Sequence, residues 1–231
     1  MLIILRALIP SLIFNFKYLP LKQAIKLPIL IYKAKFLSLK GSVTIECDNI
    51  RFGMIRMGFY TCAMYPNSGL TFRNKGNIIF RGKCEFKNDT YLLCGAQSKI
   101  IFGNDFMAGG GVKIVSNCGM SFGEHTRLGW NVVVMDTNFH PLYDMEKNKF
   151  KKAFGPIEIG DCNWFGMQCL IMPNVKTPER CIFGARSVIT RGTTFESYCV
   201  HGGSPLRVLS RNVMRDYNND QIKDYSLNDV N

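Results

Sequence analysis

The sequence is poor in histidine and tryptophan, with three and two among 231 residues, and none of its nine cysteines forms a Cys-x-x-Cys pair. An odd cysteine count without paired spacing speaks against a disulfide framework and against a finger-type zinc site. Reduced thiols are the simpler reading. A long uninterrupted apolar run is also missing. The opening, Met1 to Phe14, is broken by Arg6 and Pro10, is shorter than the roughly 20 residues of a spanning helix, and has no small-residue cleavage site behind it. These absences exclude a transmembrane helix or signal peptide there. Acids are absent before Glu46, whereas Arg6, Lys17, Lys22, Lys26, Lys33, Lys35 and Lys40 precede it. More than half of the +12 net charge therefore sits at one end, which argues against a nucleic-acid groove and excludes nucleic acid as a partner. Such a leader either lies on an anionic membrane face or caps the core as an N-terminal helix.

What is present is a globular composition: 47% apolar residues with 17 Phe and 9 Tyr exclude a disordered chain. A repeat of six runs through it. Apolar or Thr residues recur at Ile159, Phe165, Ile171, Thr177, Phe183, Ile189 and Phe195, with a small or short residue four places after each, from Asn163 to Cys199. The same frame fits Phe102, Ala108, Ile114 and, after a slip of register, Phe122, Leu128, Val134. A period of six fits neither a helix nor a lone strand, so each hexad contains a turn, and three turns close a coil of about 18 residues. The slip reads as a local bulge, and larger or irregular coils are expected before residue 100. Cys84, Cys118, Cys169, Cys181 and Cys199 fall on the small inward position, as core hydrophobes rather than metal ligands, and no metal site is expected.

Two segments break the repeat. Residues 135–156 carry no hexads and are basic, so they are expected as a loop ejected from the coil stack, where sites tend to lie. After Pro205 a short helix over Arg207 to Arg215 is expected to close the solenoid. The expected organisation is a leader over 1–40, a solenoid domain over 41–205, and a C-terminal helix and tail over 206–231.

The stretch Ile159-Gly160-Asp161-Cys162-Asn163-Trp164-Phe165-Gly166, continuing through Phe183-Gly184-Ala185-Arg186-Ser187-Val188-Ile189-Thr190 to Gly202-Gly203-Ser204-Pro205-Leu206-Arg207, closely resembles the hexapeptide-repeat acyltransferases. The likeness is greatest to the galactoside and maltose O-acetyltransferase branch that includes acetyltransferases of polysaccharide gene clusters. The resemblance implies an all-β fold, a left-handed parallel β-helix, and acetyl-coenzyme A as acyl donor. It further implies a sugar or lipid-linked oligosaccharide acceptor and a homotrimer, and the expected location is cytoplasmic, peripheral on the inner membrane face if the basic leader lies on lipid rather than capping the solenoid. Thr177-Pro178, Arg186 and Asn138 depart from the family pattern, which often has Ile-Gly, Gly and Asp there.

Activating an alcohol for acyl transfer requires a base. Only His140 lies in the ejected loop, and it matches the family's catalytic histidine. Asp136 is the candidate to orient its imidazole or bind the sugar, and a loop acid equally caps a turn. Asn131 and Asn138 match acceptor-side positions. By resemblance, Trp164, Gly166, Ala185 and Thr190 line the pantetheine arm, and Arg191 and Arg207 face the coenzyme phosphates. His125 reads as a surface or subunit-contact residue, and His201 as part of the loop contacting the coenzyme through its backbone. The readings to be weighed are O-acetyl transfer, N-acetyl transfer to an amino sugar, and a non-catalytic solenoid module. A γ-type carbonic anhydrase needs three metal-binding histidines, which the spacing here does not supply.

Overall fold

The computed structural model describes residues 2–59 and 69–217, with side chains from residue 7. The hexads build a three-faced parallel β-helix. The first face stacks nine strands, the second seven and the third six. Consecutive rungs pair in parallel: Cys181 on Cys199 along the first face, Leu170 on Val188 along the second, Glu158 on Lys176 along the third. Each of these partners is 18 residues away. Earlier coils are longer, with Lys113 on Val133, 20 residues on, and Tyr91 on Lys113, 22 residues on. The slip after Ile114 is taken up by the strand Lys113–Ser116 and the turn that follows it, rather than by a bulged strand.

The inward positions carry the core. Phe80, Phe102 and Phe122 stack rung upon rung at 5.5 and 5.4 Å, and Phe165 stacks on Phe183 at 4.6 Å, close to the strand spacing. Cys84, Cys169, Cys181 and Cys199 are buried as expected, but Cys118 is only half-buried, because its corner is lengthened and Ser116 takes the inward place. Asn163 is fully buried. Its amide donates to the carbonyls of Gly160 and Pro178, and its oxygen accepts the Cys181 N–H at 2.6 Å. From Tyr91 onward the outward residues of the second face are mainly apolar: Leu93, Val115, Val133, Met135, Leu170 and Val188, with Lys113 the charge among them. The other two faces present Arg127, Glu158 and Lys176 outward.

The leader folds as helix α1 (Leu2–Tyr18) and a short turn of helix α2 (Leu21–Ala24). Ala7, Ser11, Phe14 and Asn15 are buried, at the spacing of one helical stripe. Ser11 Oγ accepts the Ile31 N–H at 2.8 Å, and Asn15 bonds both the N–H and the carbonyl of Ile29. The free edge of the first strand, Ile29–Ile31, is thereby satisfied. This realises the capping alternative. It also corrects the boundary at residue 41, since Ile29–Ile31 and Ala34–Leu39 already belong to the first coil.

The C-terminal helix is corrected too. Arg207–Arg211 is a strand, antiparallel to Cys199–Gly202. The open edge of the last coil offers backbone partners, and the Gly202-Gly203-Ser204-Pro205 turn returns the chain onto it. Hairpin pairing therefore prevails over a helix.

Candidate active site

The ejected segment leaves the corner between the second and third faces after Val133–Met135 and rejoins at Ile157–Ile159. It is an antiparallel arm. Asn138 N–H donates to Ala153 and Gly155 N–H to Asp136, and Tyr143–Asp144 pairs with Lys149–Phe150 nearer the tip. At the neck, Asp136 is fully buried. Its carboxylate accepts the Ser116 hydroxyl at 2.6 Å and the N–H groups of Asn117, Cys118 and Gly119, each at 2.8 Å. All four contacts go to the corner of the preceding coil. Of the alternatives read from the sequence, turn capping is the one these bonds fit.

His140 is exposed on the arm. With Asn138 it lines a cleft of about 680 Å³ whose opposite wall includes Met172, Asn174, Thr190 and Arg191. The arm's lysines, among them Lys147, Lys149 and Lys152, edge the same cleft. A second cleft, of about 920 Å³, lies across the arm and shares Phe150, Lys152 and Phe154 with the first. The arm is thus a wall with a basic, aromatic rim. Met172 and Asn174 were not singled out in the sequence. Their signal is their place at the corner one coil beyond the arm, where Asn174 has φ 64°.

The remaining expected residues lie elsewhere on the chain. Asn131, Gly166 and Ala185 occupy the corner between the first and second faces, stacked on successive coils. Gly166 is required there: a Cβ would stand 2.7 Å from the Ala185 backbone nitrogen. Trp130 and Met167 are exposed on the same corner, apolar side chains that the sequence reading passed over. Trp164 projects from the first face under the Arg215 guanidinium at 4.8 Å, and exposed Arg207 sits on the final hairpin. One chain therefore brings together His140, Asn138, Thr190 and Arg191. It leaves Asn131, Gly166 and Ala185 across the second face.

The other two histidines are structural. His125 Nδ1 lies 3.1 Å from Asp105, which also bonds Arg127 and Lys83. His201 is buried, stacks on Phe183 at 5.3 Å and accepts the Glu196 N–H through Nε2. Burial holds its imidazole below the usual range.

No family model matches the chain. A protein of Staphylococcus aureus strain MRSA252, provisionally named an acetyltransferase, is 36% identical over 93 residues, 40% of this chain and 45% of that relative. The galactoside O-acetyltransferase of Escherichia coli K12 is 30% identical over 131 residues, 56% of this chain and 62% of the relative. The 24.8 kDa protein of the cps region of Klebsiella pneumoniae is 26% identical over 188 residues, 80% and 82% of the two chains. The chain spans about half the length of the curated Staphylococcus relatives it matches. Among solved structures, the polySia-specific acetyltransferase NeuO superposes with a TM-score of 0.57 at 19% identity, over 82% of this chain and 74% of that one. The chain thus has acetyltransferases as its sequence relatives, and its fold is the left-handed parallel β-helix of the hexapeptide-repeat acetyltransferases.

Proposed function

We propose that the chain is an acetyl-coenzyme A-dependent O-acetyltransferase, moving acetyl directly onto a sugar hydroxyl in the cytoplasmic assembly of cell-surface polysaccharide or oligosaccharide. One observation carries the reading: His140, on an arm thrown out of a rigid solenoid, shares a cleft with Thr190 and Arg191. A galactoside O-acetyltransferase among the sequence relatives supports a sugar acceptor.

In this reading, an imidazole nitrogen of His140 accepts the acceptor hydroxyl proton as the oxygen attacks the thioester carbonyl. The tetrahedral adduct collapses, the carbon–sulfur bond breaks, and the imidazolium returns the proton to the departing thiolate. Arg191 and the arm lysines offer positive charge to the donor's phosphates, while Met172 and Phe150 offer apolar surface to its thioester arm. Asn138 stands beside His140 to meet the acceptor. Asp136 holds the neck of the arm and so positions His140 without touching the reactants.

The separation of the expected residues supports a homotrimer. If the second-to-third corner of one copy meets the first-to-second corner of the next, Asn131, Gly166 and Ala185 join His140 across the interface. The apolar second face between those corners supplies the contact surface.

The test is labelled acetyl transfer from acetyl-coenzyme A to a panel of sugars, amino sugars and lipid-linked oligosaccharides, with the linkage read by NMR. An ester on a sugar hydroxyl is expected. An amide product would redirect the reading to N-acetyl transfer. Coenzyme binding without transfer to any acceptor would leave a binding module.

A further inference from the structure

We infer that the N-terminal end of the solenoid is a docking surface for an anionic lipid bilayer. Helix α1 has two apolar sides. One is used: Ala7, Ser11, Phe14 and Asn15 face the first coil and close its strand edge. The other is bare. Leu8, Ile9, Leu12, Ile13 and Phe16 are exposed, Ile9 at 69% and Ile13 at 57%. A surface helix of a globular protein ordinarily turns charged residues outward, yet none stands on α1 between Ala7 and Phe16. The surface continues onto and past α2, where Leu21 and Ile25 are 68% and 63% exposed.

Direction and charge select the occupant. Ser11 and Asn15 bond the free edge of Ile29–Ile31, an edge that faces along the solenoid axis, so the opposite side of α1 points away from the end of the solenoid. Lys17, Lys22 and Lys26 are exposed beside the apolar surface, and no acid precedes Glu46. A second copy meeting this end head-to-head would set like charge against like charge, whereas anionic headgroups complement the lysines while the apolar stripe enters the acyl boundary. No described helix is long and apolar enough to cross a membrane, and a helix of this length, about 25 Å, suits the interfacial plane. The strands of the second face flanking the cleft are the fifth to seventh from that end. At a rung spacing of about 4.8 Å, the cleft stands roughly 20–30 Å above the bilayer.

The test is sedimentation of the full-length protein with vesicles of phosphatidylglycerol and phosphatidylcholine, or of phosphatidylcholine alone, at low and high salt. The protein is expected to pellet with anionic vesicles at low salt and to be released as salt screens the lysines. Ile9→Glu with Ile13→Glu should abolish pelleting. Lys17→Gln, Lys22→Gln and Lys26→Gln together should lower the partition coefficient about a hundredfold, near fivefold per charge. Circular dichroism and melting should be unchanged in both variants, because all five side chains are exposed. The inference is overturned if the protein stays in the supernatant at low salt, or if both variants pellet like the parent. It also fails if Ile9→Glu with Ile13→Glu lowers the mass by light scattering, which would mean that another copy covers the face. Neither acetyl donor nor acceptor is present, so failure here leaves the acetyl-transfer reading standing.

Discussion

Ser116 and Asp136 stand one coil apart on the same corner, and the serine hydroxyl donates to the buried carboxylate at 2.6 Å. Ser98, one coil earlier, hydrogen-bonds Ser116 in turn. The neck of the arm is thereby tied to two preceding coils, and His140 takes its place from a residue four positions before it that contacts the solenoid.

Asp136→Asn should reveal this positioning role. An amide NH₂ replaces one acceptor that faces several donors, and the unsatisfied groups cost about 2–4 kcal/mol, a fall of roughly 5–15 °C in Tm. Turnover should fall while the pH profile of kcat/KM keeps its shape. A downward shift of the acidic limb's apparent pKa, the limb on which a general base titrates, would instead make Asp136 a charge partner of His140.

His140→Ala should lower kcat by about 10²- to 10⁴-fold, the range for loss of a general base. Coenzyme A affinity by calorimetry should change little, because the side chain is exposed and forms part of only one wall of the cleft. Near-normal turnover would remove His140 from the reaction.

The coil core was readable from residue types because each inward position sees the same environment: Phe165, Ile171 and Phe183 could face only one way. The site was readable less far. Asp136 finds its partners at Asn117–Gly119, one long coil back, and coil lengths of 20 and 22 residues are not set by a period of six. Asn131 and His140 are close in sequence, yet the strand Val133–Met135 carries the chain across a whole face between them. The leader offered two alternatives because both sides of α1 are apolar, and a one-dimensional pattern does not say which side is covered. Arg207–Arg211 became a strand because of a partner edge that local propensity does not see.

His201 should make stability depend on acid. Burial lowers its folded pKa below the unfolded value near 6.5, so the unfolded chain binds the proton more readily. The contribution is fully present above about pH 6.5 and is lost as pH falls below it toward the folded pKa. His201→Phe, which keeps the stack on Phe183, should flatten this part of the curve in denaturant titrations across that window. An unchanged slope would assign the acid sensitivity to other groups.

A shared site makes a prediction that an intrachain site does not. His140→Ala disables the corner between the second and third faces, whereas Ala185→Trp, at an exposed position, obstructs the corner between the first and second. Each variant alone should be inactive as a homotrimer. When the two are co-expressed and mix at random, a site forms intact wherever the Ala185→Trp copy contributes His140 and the His140→Ala copy contributes Ala185, which occurs at about a quarter of interfaces in a closed heterologous ring. Roughly a quarter of the parent activity should therefore return in the mixed trimer. If the site lay within one chain, every chain would carry a defect and no mixture would recover activity. Leu170→Glu, on the apolar second face, supplies the control: it should yield monomers by light scattering and abolish recovery in the mixture, even though its own two corners are unaltered. Activity retained by a Leu170→Glu monomer would count against both the trimer and the shared site.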